Sequence, residues 1–276
     1  MAFLLLAKSL IKLICLDMRI GIIGLGTVGG TLLRWFRKNT SHQISCFDPA
    51  KNLNDDLRFT DAIFICVPVP PADNGQDLSI VIQSVNLAKR YTENVFIKST
   101  VLPGTNDALK CVSCPEFLTA RRPDEDMEKY PILVGEAHVA YVELIFPKKK
   151  IISMKNTEAE MAKLAHNCFG AMKVTYFNMI NSICQLTGAE YNKVLEGAMI
   201  TGFIESEHTS VPGHDGRLGY GGTCFPANVE SMKQFMHFVG MSKEHDFFKI
   251  IQNMNRSYRI DSTPFLSSET NEGIDA

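Results

Sequence analysis

The sequence predicts an α/β protein in two parts, a parallel sheet between helices over residues 18–153 and an all-α domain over 154–260. Three observations carry that prediction. Short β-branched runs alternate with helical stretches through the first half, a glycine-rich turn follows the first run directly, and one unbroken helical period starts near Thr157. The flanks read differently: residues 1–17 as an extension ahead of an internal start at Met18, and 261–276 as a flexible polar tail.

Residues 18–23, MRIGII, form the first strand and flow into Gly24-Leu25-Gly26-Thr27-Val28-Gly29, with TLLRWFRKN helical behind. Strand, tight turn and helix make the Rossmann-type setting in which G-x-G-x-x-G holds a dinucleotide. Gly24 permits the turn, Gly26 lets backbone approach the pyrophosphate, and Gly29 lets helix and strand pack closely. Thr27 and Val28 then belong to the helix N-terminus that stabilises the anion. The run QISCF ends at Asp48, where a carboxylate accepts both adenosine ribose hydroxyls and repels a 2′-phosphate, so the expected cofactor is NAD. The alternative for Asp48 is a turn aspartate ahead of Pro49.

The alternation continues with DAIFICVPVP as a buried strand, SIVIQSVNLAKRY as a helix and NVFIKSTVLPGT as a strand with a polar exit. Ligands of such sheets sit at the carboxyl ends of strands, so residues 67–70 and 98–100 are expected along the cofactor cleft. Val67, Pro68 and Thr100 are the contacts expected there, with Thr100 as a cap for the next helix the alternative.

TEAE, from Thr157, is a capping box, and the helix behind it runs to Gly188, long enough to bridge domains or subunits. Lys163 and Asn167 stand four apart on one face, placed to address one substrate oxygen; the alternative is a surface lysine beside a partly buried asparagine. From Val211 to Asn228 glycines crowd Cys224, which implies close backbone approach to something and a thiol activated by the helix expected from Val229.

The bulk composition narrows the class of partner. With 28 basic and 30 acidic residues and no long run of one sign, nothing marks a nucleic-acid binder. The eight cysteines are scattered, several in apolar runs, which fits a reducing cytosol. Cys111 and Cys114 have CxxC spacing without the second pair or histidines of a zinc site, so packing is favoured over metal or redox work and no metal is expected. Lys8 and Lys12 interrupt the first apolar run, which is too short to span a membrane; an interfacial helix is the alternative there.

Seven segments, GIIGLGTVGG, FDP, TDAIFICVPVP, KSTVLPGT, CPEFL, EAEMAKLAHN and GYGGTCFP, occur in an order and spacing that resembles the UDP-glucose/GDP-mannose 6-dehydrogenase family. The likeness covers residues 18 to about 260, and GGTCFP is its most specific element. It implies a Rossmann domain followed by an all-α central domain that dimerises through the long helix 157–187. It also implies NAD-dependent oxidation of the 6-hydroxymethyl of a nucleotide sugar, UDP-glucose to UDP-glucuronate, through a thiohemiacetal and thioester on Cys224. Lys163 and Asn167 match the donors for the developing oxyanion, Glu116 the carboxylate that handles protons and thioester hydrolysis, and Thr100 a residue that positions water. The same match puts Glu116, Phe117, Leu118, Lys163, Asn167, Gly219, Tyr220 and Gly221 against the substrate.

The family motif continues Phe-Pro-Lys-Asp after the cysteine, whereas Phe225-Pro226-Ala227-Asn228 stands here, and Ala120 replaces a second glutamate. An amide cannot act as a carboxylate base or balance the lysine charge, so Asn228 bears on the hydrolytic step. The family also continues into another α/β domain that grips the nucleotide, while this sequence ends at Ala276. Two rival expectations stand: a 3-hydroxyacid-type dehydrogenase, which needs no nucleophilic thiol, and a truncated NAD-binding relative without turnover.

Overall fold

The computed structural model describes residues 17–73, 75–136 and 139–261; the expected N-terminal extension and C-terminal tail lie, but for their inner ends, outside these. The chain divides into two compact units, the first ending at His166 and the second beginning at Asn167. The border expected at 153/154 falls instead inside a long helix, whose first turns are bound to the first unit by side-chain bonds described below.

In chain order the first unit comprises β1 (Arg19–Ile23), α1 (Thr27–Asn39), β2 (Gln43–Asp48), β3 (Leu53–Asn54), β4 (Ala62–Ile65), β5 (Pro71–Ala72), β6 (Gly75–Gln76) and α2 (Ser79–Ala88). It continues with β7 (Val95–Ile97), α3 (Thr105–Leu109), β8 (Val112–Ser113), α4 (Pro123–Lys129), β9 (Ile132–Val134), α5 (Val139–Ile145) and β10 (Ile151–Ser153). The main sheet has strand order β3-β2-β1-β4-β7-β8, parallel except for β3 at one edge. β9 and β10 form a separate parallel pair.

These strands are continuous apolar runs because both sheet faces are covered. Ile20, Ile22, Phe64 and Phe96 point into one core, where Trp35, Phe36 and Phe146 gather. Ile23, Ile63, Ile65, Val95 and Ile97 point into the other, under α2. Cys111 packs in the second core and Cys114 in the first, so their CxxC spacing places the thiols on opposite faces. The strands expected through residue 70 and residue 105 stop earlier, at Ile65 and Ile97. Prolines 68, 70 and 71 lack the N–H a ladder needs.

Among its described residues the second unit has helices and no strand: the rest of α6 (Asn156–Thr187), then α7 (Tyr191–Ala198), α8 (Cys224–Phe238) and α9 (Ser242–Asp261), with residues 199–223 an irregular loop between α7 and α8. α6 has 32 residues, about 48 Å at 1.5 Å each, and stops at Gly188, whose φ of 74° suits glycine. The capping box falls two residues earlier than expected: the Lys155 N–H donates to the Glu158 carboxylate at 2.8 Å. Glu160, the expected box partner, instead accepts from the N–H groups of Gly104 and Asn106 and from the Asn106 amide, each at 2.7 Å. α8 begins at Cys224, five residues before the expected Val229. Pro226 is tolerated there because first-turn N–H groups have no partner inside a helix.

Candidate functional site

The glycine-rich turn separates into two kinds of glycine. Gly24 has φ 88° and donates its N–H to Phe47 O at 2.9 Å, and a Cβ on Gly29 would lie 1.9 Å from Gly24 O. Both are required by the fold. Gly26 has φ −67°, open to any residue, and a Cβ there would meet nothing within 4 Å. The protein itself gives no reason for glycine at 26, which leaves close approach of a ligand. α1 starts at this point without a side-chain cap or a first-turn acid, so Thr27, Val28 and Gly29 offer unpaired first-turn N–H groups to an anion.

Asp48 ends β2 beside this turn, and its carboxylate accepts from the Leu25 N–H at 2.8 Å. It also stands directly before the Pro49–Lys51 turn, which its side chain does not cap. This arrangement fits a dinucleotide: donors for the pyrophosphate, a clear path past Gly26, and a carboxylate at the ribose position. Of the strand exits, Val67 is half-buried and Pro68 exposed, and Val67 O accepts from the Ser99 hydroxyl at 2.6 Å. Thr100 does not cap α3, whose cap is Gly104. Lys98, expected along the cleft, is buried and donates to Cys114 O at 3.0 Å.

Still within the first unit, Lys163 of α6 and Glu116 form a buried ion pair at 3.1 Å. Lys163 is therefore not the surface lysine of the alternative reading. Its ammonium also stands 5.3 Å over the Phe117 ring, which meets His166 edge-on. Glu116 is held from its other side by the Leu118 N–H at 2.5 Å. The partly buried Leu118 side chain packs on the first core and lines a pocket with Glu116 and Phe117.

In the second unit Cys224 is exposed and lies in the first turn of α8. Phe225 fixes that turn: a Cβ on Gly170 of α6 would lie 2.5 Å from its Cζ, so the ring fills the notch that glycine leaves. One turn beyond Cys224, buried Asn228 accepts from the Asn167 amide at 2.5 Å. An amide oxygen takes that bond as a carboxylate oxygen does, so the geometry survives the loss of charge.

In the glycine-rich loop before Cys224, Gly219 and Gly221 are crowded by protein, whereas a Cβ on Gly216 or Gly222 would meet nothing within 4 Å. Gly219 N–H donates to Asn178 at 2.9 Å, and Asn255 bonds both the N–H and the O of Tyr220 at 2.6 and 3.0 Å. A Cβ on Gly219 would lie 2.4 Å from Asn255, and one on Gly221 2.0 Å from Arg259. The backbone N–H groups of Gly219 and Tyr220 are thus bonded within the protein. Asn178, Asn255 and Arg259 were invisible as loop anchors in the sequence; only the i+4 spacing of the last two on a helix hints at a shared face.

Residues 157–257 match the UDP-glucose/GDP-mannose dehydrogenase family, central domain. The chain is similar to UDP-glucose 6-dehydrogenase of Rhizobium meliloti, 29% identical over 228 residues that make up 71% of this chain and 50% of that protein. It is similar to UDP-glucose 6-dehydrogenase YwqF of Bacillus subtilis at 30% over 257 residues, 84% of this chain and 55% of that one. The chain therefore spans about half the length of the curated relatives it matches. A UDP-glucose dehydrogenase structure from Pyrobaculum islandicum superposes with a TM-score of 0.71 at 23% identity, covering 87% of this chain and 68% of that one. For a UDP-D-ManNAc dehydrogenase from Pyrococcus horikoshii the TM-score is 0.68 at 17% identity, with 87% and 69% covered. At these identities the structural likeness shows the fold.

Proposed function

Since the chain belongs to the UDP-glucose/GDP-mannose dehydrogenase family, we propose that it oxidises the 6-hydroxymethyl of a nucleotide sugar, UDP-glucose to UDP-glucuronate, with NAD held by residues 18–153. Cys224 carries the reading: among the described cysteines it is the exposed one, and it occupies a helix N-terminus. NAD, held at the Gly24–Gly29 turn and Asp48, would supply the hydride acceptor for both oxidations. Cys224 adds to the aldehyde as a thiohemiacetal and holds the second product as a thioester. Lys163 and Asn167 stabilise the oxyanion, Glu116 moves the proton, and Thr100 orients the water that releases the acid.

Exposed Phe169, Tyr176 and Ile183, seven apart on α6, support a homodimer through helix 157–187. Free thiols at all seven described cysteines accord with a reducing cytosol. No described helix is long and apolar enough to cross a membrane. One observation favours a second reading, an NAD-binding relative without turnover: Asn228 carries no charge where proton transfer needs one.

Purified protein with NAD and a panel of UDP- and GDP-sugars separates these readings by NADH absorbance. Two NADH per sugar is the expected result. NAD binding with no NADH from any sugar sinks the enzyme. Cys224→Ser is expected to stop the four-electron reaction at or before the aldehyde, whereas a hydroxyacid oxidation would be spared.

A further inference from the structure

Lys98 is a buried cation that the proposed chemistry does not use. It is 2% exposed, and its ammonium reaches Cys114 O at 3.0 Å and Cys114 Sγ at 3.6 Å, with no carboxylate among the described residues at ion-pair distance. An ammonium has three donors, and burying one without an anion is costly. Lys98 and Glu116 line one cavity of about 20 Å³, together with Asp126 and Tyr130. That is room for one water, and the polar lining supplies the partners a buried water needs.

We propose that Lys98 is the positioning residue for Glu116, joined to it by a water in this cavity. Glu116 already receives Lys163 on one oxygen and the Leu118 N–H on the other. Each carboxylate oxygen accepts a second donor, so a water between Lys98 and Glu116 adds to these bonds without breaking them. Glu116 then lies between two amines, Lys163 directly and Lys98 through the water.

Other charges face the same place. Asp126 is the second cavity carboxylate, with one oxygen taken by the Thr119 N–H and hydroxyl. Lys149, whose ammonium is lowered by burial and in part by Lys98, donates to Met127 O and Glu128 O behind the cavity. His166 stands against the Phe117 ring on the Lys163 side.

The proposal rests on Glu116 as the proton-handling group, but its test needs no turnover. In a high-resolution crystal structure of the whole chain, one ordered water is expected within hydrogen-bond distance of both Lys98 Nζ and a Glu116 oxygen. In parallel, 13C-carboxyl titration is followed, with Glu116 assigned by Glu116→Gln. Lys98→Met is expected to move Glu116 up by about one pH unit, and Lys98→Arg, which keeps the charge, to leave it near its starting value. A dry cavity, a water on Asp126 alone, or an unmoved Glu116 in Lys98→Met overturns the proposal. Should Lys98→Met fail to fold, the water decides. Loss of turnover with these results intact counts against the enzyme reading alone.

Discussion

At the scale of single residues, the same amino acid does opposite work three positions apart. Gly29→Ala forces a methyl to 1.9 Å from Gly24 O, so it is expected to destabilise by about 1–3 kcal/mol in urea unfolding. Gly26→Ala meets no protein atom within 4 Å of its methyl, so stability should hold while calorimetric NAD affinity falls about tenfold. Equal stability losses in the two variants would remove the ligand argument for Gly26. The cysteines divide as sharply. Burial pushes Cys66 and Cys168 up to about 12 and Cys111 up to about 11, and a raised thiol value lowers the reactive thiolate fraction. At about pH 8.5 fewer than about one in a hundred of these thiols is ionised. Peptide mapping after brief iodoacetamide treatment at that pH should therefore find Cys224 modified and these three intact. Similar labelling of Cys111 or Cys168 would contradict the buried placement.

At the scale of elements, α8 shows what holds a nucleophile on a helix end. Phe225 seats against Gly170, one residue after Cys224, so the notch in α6 sets the register of the first turn. Gly170→Ala brings a methyl to 2.5 Å from the Phe225 ring, with an expected cost of about 1–3 kcal/mol and a changed alkylation rate at Cys224. Adding Phe225→Leu should return most of that loss, and strictly additive losses would show that the two residues do not share the contact. The β-α alternation was legible in the sequence because parallel strands covered on both faces read as unbroken apolar runs, as AIFI and VFI do. That doubled burial also hid Lys98. With β7 apolar on both faces, no alternation marks which way the residue after Ile97 turns, and it goes under the sheet to Cys114. The start of α8 was obscured by its glycine-rich approach, although Thr223 followed by a proline in the first turn is a helix-start signal. Asn167 and Asn228 were legible as candidates but not as a pair, since 61 residues separate them.

At the scale of the whole molecule, α6 carries an exposed apolar stripe. Phe169, Tyr176 and Ile183 are 62%, 51% and 47% exposed, and Leu186 beyond them is 87% exposed. Residues seven apart on a helix drift by only about 20° per step, so the first three form one stripe. A two-fold axis through such a stripe buries it against its own copy, and every substitution then appears twice in the interface. Tyr176→Glu with Phe169→Glu places four carboxylates where four aromatic rings met, and like charges in a desolvated contact cost several kcal/mol. Each 1.4 kcal/mol raises a dissociation constant tenfold, so the doubled effect exceeds what a moderate dimer can absorb. Analytical ultracentrifugation should show the parent chain as a dimer at micromolar concentration and the double variant as a monomer. NAD affinity should be unchanged in the variant, because its two positions belong to the second unit and Asp48 and Gly26 to the first. A monomeric parent chain would end the dimer proposal, and a variant that still sediments as a dimer would move the interface away from this stripe.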